Sequence, residues 1–200
     1  MPSDTRSRVM DEAVRLFARK GFADTSVAEI ERAAGLKPGA GGLYAHFDSK
    51  AELLKAAIER AAAITDLGYS MHAALPLSDL RSELTIIARG SFVLFDASED
   101  WIRMGLKDGD KFPELFADAR TRLSDRAYRY LADWLRSKVD AGKLAEHDCE
   151  AIADVLFGAI SNYWLQTRVI GRAPNDVDEQ QFIEAWVDLT LCLAPPRKRR

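Results

Sequence analysis

The chain predicts an all-α protein of about nine helices, on three observations. Apolar residues recur at three- and four-residue spacing through most of its 200 residues. No alternating apolar-polar run bounded by hairpin turns appears. Helix-opening signals of the Ser-x-x-Glu type and single glycines punctuate the chain at helix-sized intervals.

In the first helix, from about Thr5 to Lys20, Val9, Ala13, Leu16 and Phe17 form one stripe, and Gly21 stops it. Ser26-Val27-Ala28-Glu29 reads as a capping box, opening a helix whose buried face is Val27, Ile30 and Ala33 or Ala34. Gly35 supplies the turn that follows. A third short helix is expected to carry Tyr44 and His46, with Lys50 near its far end. Ser49-Lys50-Ala51-Glu52 is a second capping box, opening a long connector helix lined by Leu54, Ala57, Ile58 and Ala61. Leu75-Pro76-Leu77-Ser78 breaks the pattern before a helix over about 79–96. Residues 107–112 read as a polar loop, and Pro113 suits the first position of a helix in which Leu123, Ala127, Tyr130, Leu131 and Trp134 share a face before Gly142 ends it. Asp148 opens a helix to about Ile170, and Asp176-Val177-Asp178-Glu179 opens the last, to about Leu193. The expected division is 1–47, 48–196 and a basic tail at 197–200.

Composition, 48 % hydrophobic and 30 % charged, suits a folded chain with a sizeable core. With neither a membrane-spanning apolar run nor a secretory h-region, the expected location is the cytoplasm. Cys149 and Cys192 are too isolated for a disulfide framework or a Cys-x-x-Cys site. His46, His72 and His147 lack metal-ligand spacing, and no hydrolase or metalloprotease signature occurs, so neither enzymatic activity, a metal nor a cofactor is expected. The glycines at 39–42 lack the Lys-Ser or Lys-Thr of a phosphate loop and the third glycine of a dinucleotide fingerprint.

The net charge of -3 is unevenly spread. Residues 1–55 carry nine Lys or Arg against eight acids, whereas 56–196 are acidic. That asymmetry places nucleic acid at the N-terminal end. Residues 24–50 then read as two short helices joined by a tight turn, the layout in which a second helix enters the major groove. Thr25 or Ser26 at a helix start presents a hydroxyl and free amides to a phosphate. Tyr44 and His46, two apart on a helix, diverge by about 200°, which suits a groove with phosphate walls on both sides. A surface-tipped core aromatic is the alternative for Tyr44.

The order Gly-Phe-x-x-Thr-Ser-Val, x-x-Ile-x-x-Ala-Ala-Gly, Leu-Tyr-x-His-Phe-x-Ser-Lys-x-x-Leu-Leu, about 45 residues in all, resembles the DNA-binding domain of TetR-family transcriptional regulators. The resemblance implies a homodimer on a palindromic operator, with a C-terminal ligand pocket controlling affinity. It implies that Tyr44, His46 and Lys50 grip phosphates while Leu43 and Phe47 pack inward. One departure stands out: seven residues, Leu36 to Gly42, separate Ala-Gly from Leu-Tyr, where many members have five. Three glycines there imply a loosely formed start to the recognition helix. Lys37, Ala40 and the backbone amides of Gly39, Gly41 and Gly42 are the remaining base-reading candidates, with part of the selectivity expected from DNA shape.

In the C-terminal body, Phe92, Phe95, Trp101, Met104, Trp134 and Tyr163 are candidates for walling a pocket for a mostly apolar ligand, as are Phe116, Phe157, Trp164 and Trp186, with Asn162 or Gln166 orienting it. The alternative is that each aromatic fills the core. The eighth helix is apolar on several sides, so Ile152, Leu156 and Ile160, with Phe182, Trp186 and Leu189 of the last helix, are expected at a four-helix dimer contact rather than inside a monomer. The mechanism expected is repression by the unliganded dimer, with ligand among helices four to eight shifting the connector. An activator, a co-repressor-type regulator, or a helical carrier or enzyme that binds no DNA remain the alternatives. The basic tail reads as a solvated end or an auxiliary DNA contact.

Overall fold

The computed structural model describes residues 5–73 and 79–195. The break expected at 75–78 and the basic tail lie outside the described residues. Helices α1 (Thr5–Lys20), α2 (Val27–Ala33), α3 (Lys50–Ala73), α4 (Leu80–Ala97), α5 (Glu99–Asp108), α6 (Pro113–Ala119), α7 (Asp125–Asp140), α8 (Cys149–Trp164) and α9 (Glu179–Leu191) follow in order. Wide-turn π segments join α6 to α7 (Arg120–Ser124) and extend α8 (Leu165–Ile170), so the described residues form eight continuous helical rods and no strand. The expected recognition helix is missing, since residues 38–46 run as consecutive turns, and α5 reaches Asp108, two residues into the loop expected over 107–112. Gly39 and Gly41 have φ of +74° and +77°, a left-handed backbone that a right-handed helix cannot contain.

The helix starts follow local chemistry. Ser26 accepts the Glu29 amide at 3.3 Å while the Glu29 carboxylate accepts the Ser26 amide at 2.9 Å, closing the capping box. The Ser49 hydroxyl accepts the Glu52 amide at 3.0 Å, whereas Glu52 reaches one residue further back, to the Asp48 amide. Asp148 caps α8 through the Ala151 amide, and Asp178 with Gln181 forms a further box at α9.

Packing resolves two compact units, Met1–Leu67 with Ser98–Leu123, and Gly68–Ala97 with Ser124–Arg200. In the first, Val9, Met10 and Phe17 of α1, Ile30 of α2, Leu43 and Phe47 of the turns, and Leu54 and Ile58 of α3 share one buried cluster. Leu43 and Phe47, four apart, pack inward as expected. Met104 of α5 and Phe116 of α6 belong to this cluster, and Trp101 packs against it. Trp101 and Met104 therefore do not join the aromatics of the second unit: α5 is amphipathic and spends its apolar face here.

In the second unit α8 packs on α7 and α4, and α4 on α9. Leu156, Ile160 and Trp186 are buried within this single chain, the Trp186 indole donating to the Leu156 carbonyl at 2.9 Å. This corrects their placement at a dimer surface. A helix apolar on several sides finds enough cover from α4, α7 and α9. Glu83 is a buried carboxylate that accepts the Trp134 indole N–H at 3.0 Å and pairs with the Lys138 ammonium. Among the described residues no helix is long and apolar enough to cross a membrane, and no His, Cys, Asp and Glu group could hold a metal ion.

Candidate nucleic-acid interface

Between α1 and α2 the chain turns over 21–26, and this turn is anchored from several sides. Thr25 is buried, and its hydroxyl donates to the Gly21 carbonyl at 2.8 Å. Its side chain is thus a brace within the turn rather than a surface donor, which corrects one of the two hydroxyl candidates. Ser26 is exposed at the α2 start, where its hydroxyl lies 2.9 Å from the Glu29 carboxylate. Glu29 is held down to about 2 by the Lys20 ammonium first and by the Ser26 amide and hydroxyl after it.

The turns over 38–46 present the polar candidates on one side and bury the apolar ones on the other. Tyr44 is 56 % exposed, and Lys37, Ala40 and His46 are exposed with it. A single helical turn survives at the end of the segment, where Ala45 donates to the Gly41 carbonyl and Phe47 to that of Leu43. The guanidinium of Arg6, exposed on α1, lies over the Phe47 ring 4.9 Å from its centre, adding a cation beside the end of these turns. No sequence signal links residues 41 positions apart, so spacing and residue type do not reveal Arg6.

The glycine amides are less available than the sequence suggests. Gly39 N–H donates to the Glu31 carboxylate at 2.7 Å, Gly42 N–H is directed to the same group, and Ala40 N–H bonds the Lys37 carbonyl at 3.2 Å. Glu31, 1 % exposed, occupies the centre of the turns and is likewise invisible to a reading of spacing.

Lys50 is turned inward. Its ammonium donates to the carbonyls of Phe22 and Thr25, the latter at 2.8 Å, and lies 4.5 Å from the centre of the Phe22 ring. Burial pushes Lys50 below the ordinary lysine range, with Asp24 opposing. Its charge is spent on the turn that carries Ser26, so a phosphate would meet this lysine only through the backbone it holds. Two contacts from α5 complete the anchoring: Asp108, 2 % exposed, accepts the Phe22 amide at 2.6 Å, and Lys107 donates to the Arg19 carbonyl at 2.6 Å.

The effector candidates of the second unit are packed against one another. Phe92 meets Tyr163 and Phe182 edge-on, Phe95 stacks on Trp164 at 5.5 Å, and Tyr163 stacks on Phe182 at 4.3 Å. Phe182, half-buried, is therefore already partnered by rings of its own chain. Tyr163 donates its hydroxyl to the Val177 carbonyl, and Trp134 faces Glu83. Asn162 is exposed and Gln166 half-buried, so neither is the buried amide the sequence suggested. An open groove of about 490 Å³ lies instead against Asp125, Tyr128, Arg129, Ala132, Glu150 and Asp154. Of the six residues expected at a dimer contact, Leu189 is 63 % exposed and Ile152 half-buried. Exposed Ala151, Val155, Ala159 and Asn162 form a stripe along α8, and Ala185 and Leu189 one along α9.

Two family models match. Residues 9–57 match that of the bacterial regulatory proteins, tetR family, and residues 85–193 that of the AefR-like transcriptional repressor C-terminal domain. Pseudomonas putida SrpR, an HTH-type transcriptional regulator, is 27 % identical over 141 residues, 70 % of this chain and 64 % of SrpR; the chain thus spans less than two thirds of that relative. Pseudomonas putida ArpR, a probable HTH-type transcriptional regulator, is 27 % identical over 199 residues, 94 % of this chain and 90 % of ArpR. The fatty acid degradation regulator FadR of Bacillus halodurans shares the fold at a TM-score of 0.72 over the whole of both chains, with 19 % identity.

Proposed function

Because the chain belongs to the TetR family of transcriptional regulators, we propose that it is a ligand-responsive repressor, binding a palindromic operator as a homodimer and leaving it when a small, mostly apolar molecule binds. DNA binding through the helix-turn-helix and the absence of enzymatic activity come with the family. The observation that carries the residue-level reading is the exposed face of the turns at 37–46, with Lys37, Ala40, Tyr44 and His46 on it and Leu43 and Phe47 beneath. Tyr44 and His46 contact phosphates, Ser26 caps a helix whose free amides point at another, and Lys37 and Ala40 reach base edges. Lys50 and Thr25 contribute by holding the Ser26 turn.

The dimer contact is assigned to the stripes of Ala151, Val155, Ala159 and Asn162 on α8 and of Ala185 and Leu189 on α9. Apart from Asn162, their side chains are small or apolar and exposed, so two copies of this helix pair can approach closely and bury Val155 and Leu189, 64 % and 63 % exposed in the single chain. An apolar effector would have to part the ring pairs Phe92–Tyr163 and Phe95–Phe157, and its support is FadR, which by its name regulates fatty acid degradation. The open groove favours a second reading of the effector. Glu150 is paired with Arg136, but Asp125 and Asp154 still outnumber Arg129 there, with Tyr128 beside them, so it suits an amphipathic cation.

Effector binding relieves repression only if the ligand prefers the protein conformation with the weaker operator geometry. The test is recovery of genomic DNA bound by the protein, followed by titration of the recovered duplex with and without medium-chain fatty acids and quaternary ammonium amphiphiles. Affinity unchanged by every compound shown to bind would remove the inducer model. Enhanced affinity would make the ligand a co-repressor.

A further inference from the structure

The two residues by which the segment 36–42 exceeds the common family spacing need an explanation that glycine content alone does not provide. A seven-residue, glycine-rich stretch has many conformations, and a reader of DNA that must order itself on each encounter loses affinity and selectivity. Here the stretch is wound around a carboxylate. Glu31, the fifth residue of α2, is buried at 1 % exposure and accepts Gly39 N–H at 2.7 Å through Oε2 and Leu43 N–H at 3.1 Å through Oε1, with Gly42 N–H directed at the same group. Its own carbonyl accepts Leu36 N–H at 2.7 Å, so both ends of the stretch are tied to this one residue. Gly39 and Gly41 are left-handed, which turns successive amides toward a common centre, the geometry by which backbone nests bind anions. Leu36 packs beneath, its Cδ1 3.0 Å from where a Cβ on Gly42 would stand.

We infer that Glu31 is the positioning residue of the DNA-reading loop, its carboxylate serving as the resident anion of a backbone nest and so setting where Lys37, Ala40 and Tyr44 are presented. This deepens the proposed function and rests on it. Glu31 touches no DNA: its charge is turned into the protein and satisfied by amides that would otherwise be candidates for phosphate. The loop therefore reads bases with side chains and with shape, while the amide of Gly39 is already committed. The hydrogen bonds from Leu43 and Gly39 hold the Glu31 carboxyl below the ordinary range, so the nest is intact at neutral pH.

The test compares wild-type protein with Glu31→Gln, which keeps the shape but places an NH₂ against backbone donors. Each is used to select duplexes from a random-sequence pool, and the duplex selected by wild type is then titrated against the unselected pool. The preference of Glu31→Gln for the selected duplex should fall about tenfold or more, the scale of a lost base-pair match. Its affinity for the unselected pool should stay equal or rise, because no cation is lost and a negative charge is removed. A merely structural role would lower the melting temperature and leave that preference unchanged in the folded fraction. In wild type, the amide proton shifts of Gly39 and Leu43 should titrate together with the Glu31 carboxyl; this needs no variant and decides the matter if Glu31→Gln does not fold by circular dichroism. Equal preference in both proteins, or amide shifts that ignore the Glu31 titration, overturns the assignment while leaving DNA reading intact. Wild-type protein that selects no duplex overturns the residue-level reading of the loop and this inference with it.

Discussion

The carboxylate of Asp108, at the end of α5, accepts the backbone N–H of Phe22 at 2.6 Å across 86 residues of chain. The same carboxylate pairs with Lys111 at 3.2 Å and is 2 % exposed. Two distant stretches of the first unit are thereby clasped at the turn that leads into the helix-turn-helix. The Phe22 carbonyl, for its part, accepts from the Lys50 ammonium. The turn is thus held through its amide from one side and its carbonyl from another.

Replacing Asp108 by Ala removes the acceptor and leaves a part-buried amide without one. The expected loss is about 1–3 kcal/mol of stability, the desolvation penalty of such a group. Urea denaturation followed by circular dichroism measures it. Operator affinity should fall as well, because the Ser26 turn loses a support. A variant as stable as wild type would show that the clasp is not used.

Tyr44→Phe removes one hydroxyl from a side chain that is already 56 % exposed. The melting temperature should stay within a degree or two, while affinity for the recovered operator drops by about tenfold, the scale of one hydrogen bond to a charged oxygen. Lys37→Ala should cost about 1–3 kcal/mol on the recovered operator and relax the base preference at one position, as expected of a base-reading cation. Fluorescence anisotropy on the operator and on single-base variants separates the two effects: the first lowers affinity for all of them alike, the second narrows the difference at one position.

Glu29 has a carboxyl held down to about 2 in the folded protein, against 4.5 ordinarily. A depressed folded value means that its contribution to stability is fully present above 4.5 and is lost as the pH falls toward 2. The Glu29 side-chain carbon resonance should titrate with a midpoint near 2, moving upward in Lys20→Met, which removes the largest cause. A midpoint unchanged by that substitution would assign the depression to Ser26 instead.

The buried carboxylate of Glu83 serves the Trp134 indole and the Lys138 ammonium together. Glu83→Ala leaves a charge largely out of water without its partner, and is expected to cost about 3–5 kcal/mol. Chemical denaturation of Glu83→Ala, Lys138→Met and the double variant gives the coupling directly. Losses that simply add would deny the pair.

Leu189→Arg and Ile160→Asp distinguish surface from core on the helices assigned to the dimer. Leu189 is 63 % exposed and Ile160 fully buried. Leu189→Arg should leave the helical signal intact and shift the protein toward monomer in sedimentation at micromolar concentration, with weakened operator binding. Ile160→Asp should unfold it, since an unpaired carboxylate in an apolar core costs several kcal/mol. A dimer unaffected by Leu189→Arg would move the contact off this face.

Where an interaction spans only a few residues, it is legible in the amino-acid sequence itself. Ser26 with Glu29 and Asp148 with Ala151 are decided by side chains within reach of amides three positions on, and Pro113 at a helix start by its fixed φ and missing N–H. Leu43 and Phe47, four apart, could only share a face. The glycines of 39–42 signal a weak recognition helix, yet leave open what replaces it. The aromatics mislead for a related reason: an apolar residue type says that it is buried, but not against which element. Met104 and Trp101 go to α1 rather than to Phe92, and Leu156, Ile160 and Trp186 to their own chain rather than a second one.

Most of the helices, their caps and the family were determined by the sequence alone, because each depends on residue type at short spacing, whereas the recognition helix it promised is replaced by turns over 38–46. Only the tertiary structure decided that Lys50 turns inward to the carbonyls of Phe22 and Thr25, that Asp108 clasps Phe22, and that Glu31 holds the glycine stretch. These are contacts across eight to 86 residues, in which a charge finds its partner only after the chain between them has folded. A lysine or glutamate in a sequence promises a charge at the surface; burial and the amides or carbonyls around it decide whether that charge faces DNA or the protein itself.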